Sequence, residues 1–218
     1  MNLYAEAKAA GVKKFNYVSV ISCDEKGAEE VPMLHAKYLV EEEIKKTGFA
    51  KFYPCILESD AWLKEHHAQD ICVTSKDGLR LRGYWIPADH PRGTILLAHG
   101  YRSTFLIDFG LAFAFYHALG FNILVPHQRA HGESEGRYIT FGVKESEDMQ
   151  CWIDYHNRTY GQHQMILSGM SMGASTVLFM ADQVLPDNVK CIIADCGFTS
   201  PKEILDTVFR SVVHLPSK

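Results

Sequence analysis

Met165-Ile166-Leu167-Ser168-Gly169-Met170-Ser171-Met172-Gly173 decides how this chain is read. An apolar run, Met165 to Leu167, leads into a serine with a glycine two residues to either side, and a helical pattern starts at Met172. Strand, tight turn and helix in that order need glycines because a side chain at either flank would clash inside the turn. The product is a serine hydroxyl held out at the C-terminal edge of a sheet, beside the positive end of a helix.

Outward from that turn, short strands and helices alternate regularly from Asp70 onward. Ile71 to Thr74 and Leu79 to Ile86 flank Lys76-Asp77-Gly78, whose Asp-Gly pair predicts a tight hairpin. Thr94 to Ala98, Asn122 to Pro126, Met165 to Leu167 and Lys190 to Ala194 read as further strands. Phe105 to Ala118 and Glu145 to His156 read as helices, the second with Met149, Trp152, Ile153 and His156 on one face. Ala174, Val177, Leu178 and Ala181 mark the inner face of the helix after the serine. Continuous apolar strands alternating with helices imply an α/β fold, a mostly parallel sheet covered on both faces with an antiparallel hairpin at its start.

The chemistry-bearing residues fall at the ends of those strands, where such sheets place their sites. His99-Gly100-Tyr101 follows one strand, Gln128-Arg129-Ala130-His131-Gly132-Glu133-Ser134 the next, and Asp195-Cys196-Gly197-Phe198 the last. Together with the glycine-flanked serine, these four motifs resemble a serine aminopeptidase-like or esterase-like α/β-hydrolase, over roughly Asp70 to Leu215. Gln128 and Ala130 depart from the DxRGHGxS stretch of that family. The resemblance makes Ser171 the nucleophile of a nucleophile elbow. It gives the backbone amides of Tyr101 and Met172 as the oxyanion hole, and implies an ester, thioester or amide substrate, small or peptide-like, cleaved through an acyl-enzyme without metal or organic cofactor. It also implies that His99 and His131 orient their loops rather than act as bases.

A serine needs a histidine base and the base a carboxylate, in the chain order serine, acid, histidine. After Ser171, Asp195 is the one acid at a predicted strand end and His214 the one histidine beyond it, so these are the candidates. In the family the acid follows a seventh strand and the histidine an eighth. Here the strand at Lys190 to Ala194 is the sixth of this region, so the hydrolase core, 70–218, is expected to lack its last two strands. That expectation leaves the sixth strand as an exposed edge able to drive self-association.

Residues 1–57 have another texture. Leu3 to Ala10 is helical, Phe15 to Val20 a strand, Met33 to Ile44 an amphipathic helix and Lys51 to Leu57 a further strand. Gly11-Val12-Lys13-Lys14-Phe15, Ser19-Val20, His35-Ala36-Lys37 and Thr47-Gly48 resemble the middle of an NmrA-like atypical short-chain dehydrogenase, a Rossmann-type fragment. No GxGxxG loop accompanies it, and Met33 stands where the catalytic tyrosine of a tyrosine-xxx-lysine pair ending at Lys37 would be, so no dinucleotide site is predicted. Residues 58–69, polar and carrying His66-His67, read as a linker.

The bulk numbers exclude some classes. A net charge of −4 offers nothing to nucleic acid or to an anionic membrane. Six scattered cysteines without a CxxC pair point to reduced thiols, and Met1 to Gly11 lacks the apolar core of a signal peptide, so a cytoplasmic protein is expected. Thr104 to Val125 is apolar enough to suggest a membrane span, but Asp108, His117, Gly120 and Asn122 interrupt it, which predicts buried core. Two readings compete with the hydrolase: an inactive fusion fragment or interaction module, and a remnant NAD(P)-binding oxidoreductase.

Overall fold

A computed structural model describes residues 15–18 and 52–206. Strand β1 (Phe15–Val18) is followed by helix α1 (Phe52–Glu65), β2 (Gln69–Thr74), β3 (Arg80–Ile86), β4 (Gly93–Ala98), α2 (Phe105–Ala118) and β5 (Phe121–Pro126). Then come α3 (Val143–Thr159), β6 (Met165–Met170), α4 (Met172–Met180) and β7 (Val189–Asp195). A short helical turn closes the described chain at 201–206. The helices expected at 3–10 and 33–44 lie outside the described residues.

The strands form one sheet in the order β1-β7-β6-β4-β5-β3-β2. The β2–β3 hairpin is antiparallel, as its Asp77-Gly78 turn requires, and β3 joins β5 antiparallel through Gly83 opposite Pro126. The remaining pairings are parallel. Every residue of β4 is buried, the signature of a strand covered on both faces. One core cluster is built on Trp152, Met149, Ile153, Val177 and Leu178 of α3 and α4. The other is built on Phe105, Phe109, Phe113 and Tyr116 of α2. The inner faces expected of the two helices on the first side are therefore the observed ones.

Two expectations are corrected. The stretch expected to be a strand and then a polar linker is helix α1, whose Ser59 and Leu63 are buried against α2. A Cβ on Gly110 would lie 2.6 Å from the Ser59 hydroxyl, so a glycine in α2 lets the two helices approach. Trp62 stacks on His66 at 3.9 Å and meets the His117 ring edge-on at 5.4 Å, which places His66 in an aromatic cluster instead of in solvent. The second correction concerns β7. It is not a bare edge: β1 pairs along it in parallel, Phe15 opposite Ile192 and Val18 opposite Asp195, so backbone groups that would template self-association are taken up within the chain. Among the described residues, no helix is long and apolar enough to cross a membrane, and the apolar stretch at Thr104 to Val125 is α2 and β5 of the core.

Candidate functional site

Ser171 stands between β6 and α4 with φ 53° and ψ −116°, a backbone conformation that L-residues avoid and that surrounding structure must impose. What imposes it is close packing. A Cβ on Gly169 would collide with the Gly173 carbonyl, and one on Gly173 with the carbonyl of Ala98 in β4. The Ser171 amide donates to the Asp195 carbonyl (2.8 Å), tying the turn to the end of β7. Its side chain is left exposed while Met172, first residue of α4, is fully buried.

The loop after β4 lies directly against this turn. A Cβ on Gly100 would lie 3.3 Å from the Ser171 Cβ and 3.3 Å from Asp108 Oδ2. Asp108, in the first turn of α2, accepts from the Gly100 amide (2.6 Å) and from the Ser103 hydroxyl (2.7 Å). Burial pushes the Asp108 carboxyl up, against the pull of those two donors. The loop is thus bracketed from below by a carboxylate that sequence reasoning passed over. Its only sequence signal was an acid early in an otherwise apolar helix. Tyr101, the next residue, is exposed and stacks on Phe141 at 5.3 Å.

The two motif histidines are held from both ring nitrogens. His99 is fully buried; the Gln128 amide donates to its Nε2 (3.1 Å), so Nδ1 carries the proton toward the Gly100 carbonyl (2.9 Å). Desolvation pushes its pKa down to about 3, keeping the ring neutral. His131 repeats the arrangement, accepting from the Arg102 amide (3.0 Å) and donating to the Arg129 carbonyl (2.8 Å). Both orient loops, as expected. Gln128, expected as a departure from the resembled motif, falls on its unspecified second position and holds His99: its side-chain amide donates to the His99 carbonyl while Oε1 accepts from the Thr176 hydroxyl (3.2 Å). Ala130, the other departure, sits at φ 58°. Counted over the eight-residue pattern, the first position falls on His127, another buried ring, packed 4.9 Å from Phe105 and depressed in pKa by burial.

Arg129 anchors the same loop. Its guanidinium makes a two-point bridge to Asp148 of α3 (both 2.7 Å) and reaches Asp77 in the hairpin turn (3.0 and 3.1 Å). The Arg129 hydrogen bonds hold the Asp77 carboxyl well below the usual carboxylate range, with help from the Ser75 hydroxyl.

Asp195 is buried and its carboxylate accepts from the Cys196 thiol (3.1 Å). His214 lies outside the described residues. Among the described residues no histidine nitrogen is hydrogen-bonded to Ser171. Between the loops after β4 and β5 opens a cavity of about 790 Å³, lined by Tyr101, Arg102, His131, Arg137, Tyr138 and Phe141 among others.

Comparison with known proteins shows the fold family. A family model described as the alpha/beta hydrolase fold matches residues 93–218. The uncharacterized protein YqkD of Bacillus subtilis is 30% identical over 146 residues, which cover 66% of this chain and 48% of that protein. Protein bem46 of Schizosaccharomyces pombe is 25% identical over 144 residues, covering 64% and 47% respectively. The chain thus spans about half the length of the curated relatives it matches. Among solved structures, the Pyrococcus furiosus esterase Pf2001 superimposes with a TM-score of 0.59 at 26% identity, covering 71% of this chain and 62% of that one.

Proposed function

The chain belongs to the α/β-hydrolase fold family, and from that premise we propose that it is a serine hydrolase of ester, thioester or amide bonds in which Ser171 is the nucleophile. One observation carries this reading. Among the described residues, Ser171 alone combines an exposed side chain, a strained backbone at a strand end, and a helix N-terminus starting at the next residue. Strain of this kind costs on the order of 1–3 kcal/mol and persists where a site needs it.

The reaction would run as follows. Ser171 Oγ bonds to the acyl carbon while its proton passes to a base, and the carbonyl electron pair moves onto oxygen. The amides of Tyr101 and Met172 receive that oxyanion; each such donor lowers the barrier by roughly 3–4 kcal/mol. Collapse expels the alcohol, thiol or amine, which recovers the proton, and water repeats the sequence to free the acid. Asp195 and His214 are the acid and base candidates within this chain. The route needs no metal or organic cofactor. The esterase resemblance of Pf2001 favours small acyl substrates, with the serine aminopeptidase-like branch extending the class to peptide-like ones. The thiols of Cys72 and Cys151, free among the described residues, suit a reducing, cytoplasmic setting.

A fluorophosphonate probe tests the reading. The chain is expected to label, and Ser171→Ala to lose all labelling. An unlabelled chain, or equal labelling of the variant, refutes it and favours a non-catalytic module.

A further inference from the structure

The cavity between the loops after β4 and β5 has an uneven charge. Arg102 and Arg137 both line it, and no carboxylate does. The acids of the neighbouring segments are committed elsewhere. Glu135 pairs with Arg80 (2.8 Å), Glu133 faces Arg82 (3.9 Å), and Asp108 is turned under the loop to hold Gly100 and Ser103. Among the described residues neither lining arginine has an acidic partner, whereas Arg80, Arg82 and Arg129 each do.

Arg102 is also placed rather than merely present. Its backbone sits at φ 52°, and its amide donates to Nε2 of the buried His131, whose other nitrogen is fixed on the Arg129 carbonyl. Its guanidinium lies over the Tyr101 ring, 5.3 Å from the centroid, and that ring is stacked in turn on Phe141. A guanidinium restrained by an aromatic face keeps its edge donors free, and those donors match the paired oxygens of an oxyacid. The recess is open and mainly polar, with about 790 Å³ of room for an oxyacid group and the chain that carries it. Tyr101 links the two places: it follows Gly100, where an added Cβ would lie 3.3 Å from the Ser171 Cβ, and it lines the cavity.

We propose that this cavity selects acyl substrates bearing an anionic oxyacid group, which Arg102 and Arg137 receive while the scissile carbonyl lies at Ser171. The inference rests on the hydrolase reading for the second half of that statement and on the cavity alone for the first. Neutral esters fill the same volume but leave two cations unpaired. A carboxylate or a phosphate satisfies the arginines equally, so the source is separated by experiment.

Two measurements are made on the full chain. The first compares kcat/KM for 4-nitrophenyl hydrogen glutarate and 4-nitrophenyl butyrate, which share a leaving group and differ in a terminal carboxylate. The glutarate ester is expected to be preferred roughly fivefold, the scale of two solvent-accessible charge pairs. The preference should fall to near unity in R102A/R137A and invert in R137E. The second follows Tm with glutarate and, separately, with inorganic phosphate, and requires no turnover. A rise with either anion that disappears in R102A/R137A supports the site and identifies the oxyacid. No rise with either, or a rise that survives the double variant, overturns it. If neither ester is turned over and the fluorophosphonate probe fails to label, the hydrolase reading falls while the Tm arm still decides the anion site.

Discussion

Ser171 and His131 both follow the C-terminal ends of parallel strands, yet their surroundings are opposite. Around His131 every strong group is engaged: both ring nitrogens, the Arg129 guanidinium on Asp148 and the Ser134 hydroxyl, which donates to the His127 carbonyl (2.6 Å). Around Ser171 the backbone is clamped by Gly169, Gly173 and Asp195, while the side chain faces solvent. The first loop uses its polar residues to fix the main chain. The second spends main-chain strain to present one polar group. A histidine in a motif is therefore not evidence of a base; the fate of both its nitrogens decides.

This contrast can be broken by measurement, starting where the effect is largest. Arg129→Ala leaves Asp148 buried without its partner, and unfolding by urea should show a loss of about 3–5 kcal/mol. A loss below 1 kcal/mol would mean that the loop is not held as described. Next comes acid. His99 is neutral in the fold, its pKa lowered from 6.5 to about 3, so the unfolded chain binds the extra proton. Stability is complete above pH 6.5 and falls as pH drops toward 3, by up to about 1.4 kcal/mol per pH unit for that group. His127 and His156, also depressed by burial, add to the slope in the same direction. His99→Gln should flatten the profile between pH 6 and 4, and an unchanged slope would contradict the assignment.

Smaller effects run the other way. Ser171→Gly should remove probe labelling while raising stability by about 1–2 kcal/mol, because glycine accepts the positive φ freely. Ala130→Gly, at φ 58° in the locked loop, should gain under about 1 kcal/mol and leave labelling in place. A gain at Ala130 larger than that at Ser171 would erase the distinction drawn between the two loops.

How much of this was legible in the sequence follows from the range of the interactions. The Asp77-Gly78 hairpin, the limits of α2 and the Ser171 turn are local: their residues dictate the backbone within a few positions, and each is found where expected. Helix α1 was hidden because Glu58, Asp60, Lys64 and Glu65 break up the pattern of its second half, where Ser59 and Leu63 are buried and Trp62 is partly covered. A stripe that narrow carries almost no periodic signal. The strand at Phe15 was readable, but its partner at Ile192 was not, since a pairing between the two ends of the described chain leaves no trace in local pattern. In the site, the serine and its glycines announced themselves. The bracket of Gly100 by Asp108 did not, because its meaning depends on a loop eight residues earlier folding back onto the helix.

The Arg129 bridge also bears on how the molecule comes apart. Strands β2 and β3 lie at one margin of the sheet, the place where fraying ordinarily begins. Yet their turn is bound through Asp77 to Arg129, and through Arg129 to Asp148 in the middle of α3, whose Trp152 is central to the core. The margin and the interior therefore open together. Amide hydrogens shared between β2 and β3 should exchange at the rate of global unfolding, as one cooperative unit with α3, and not through a separate low-energy opening of the hairpin.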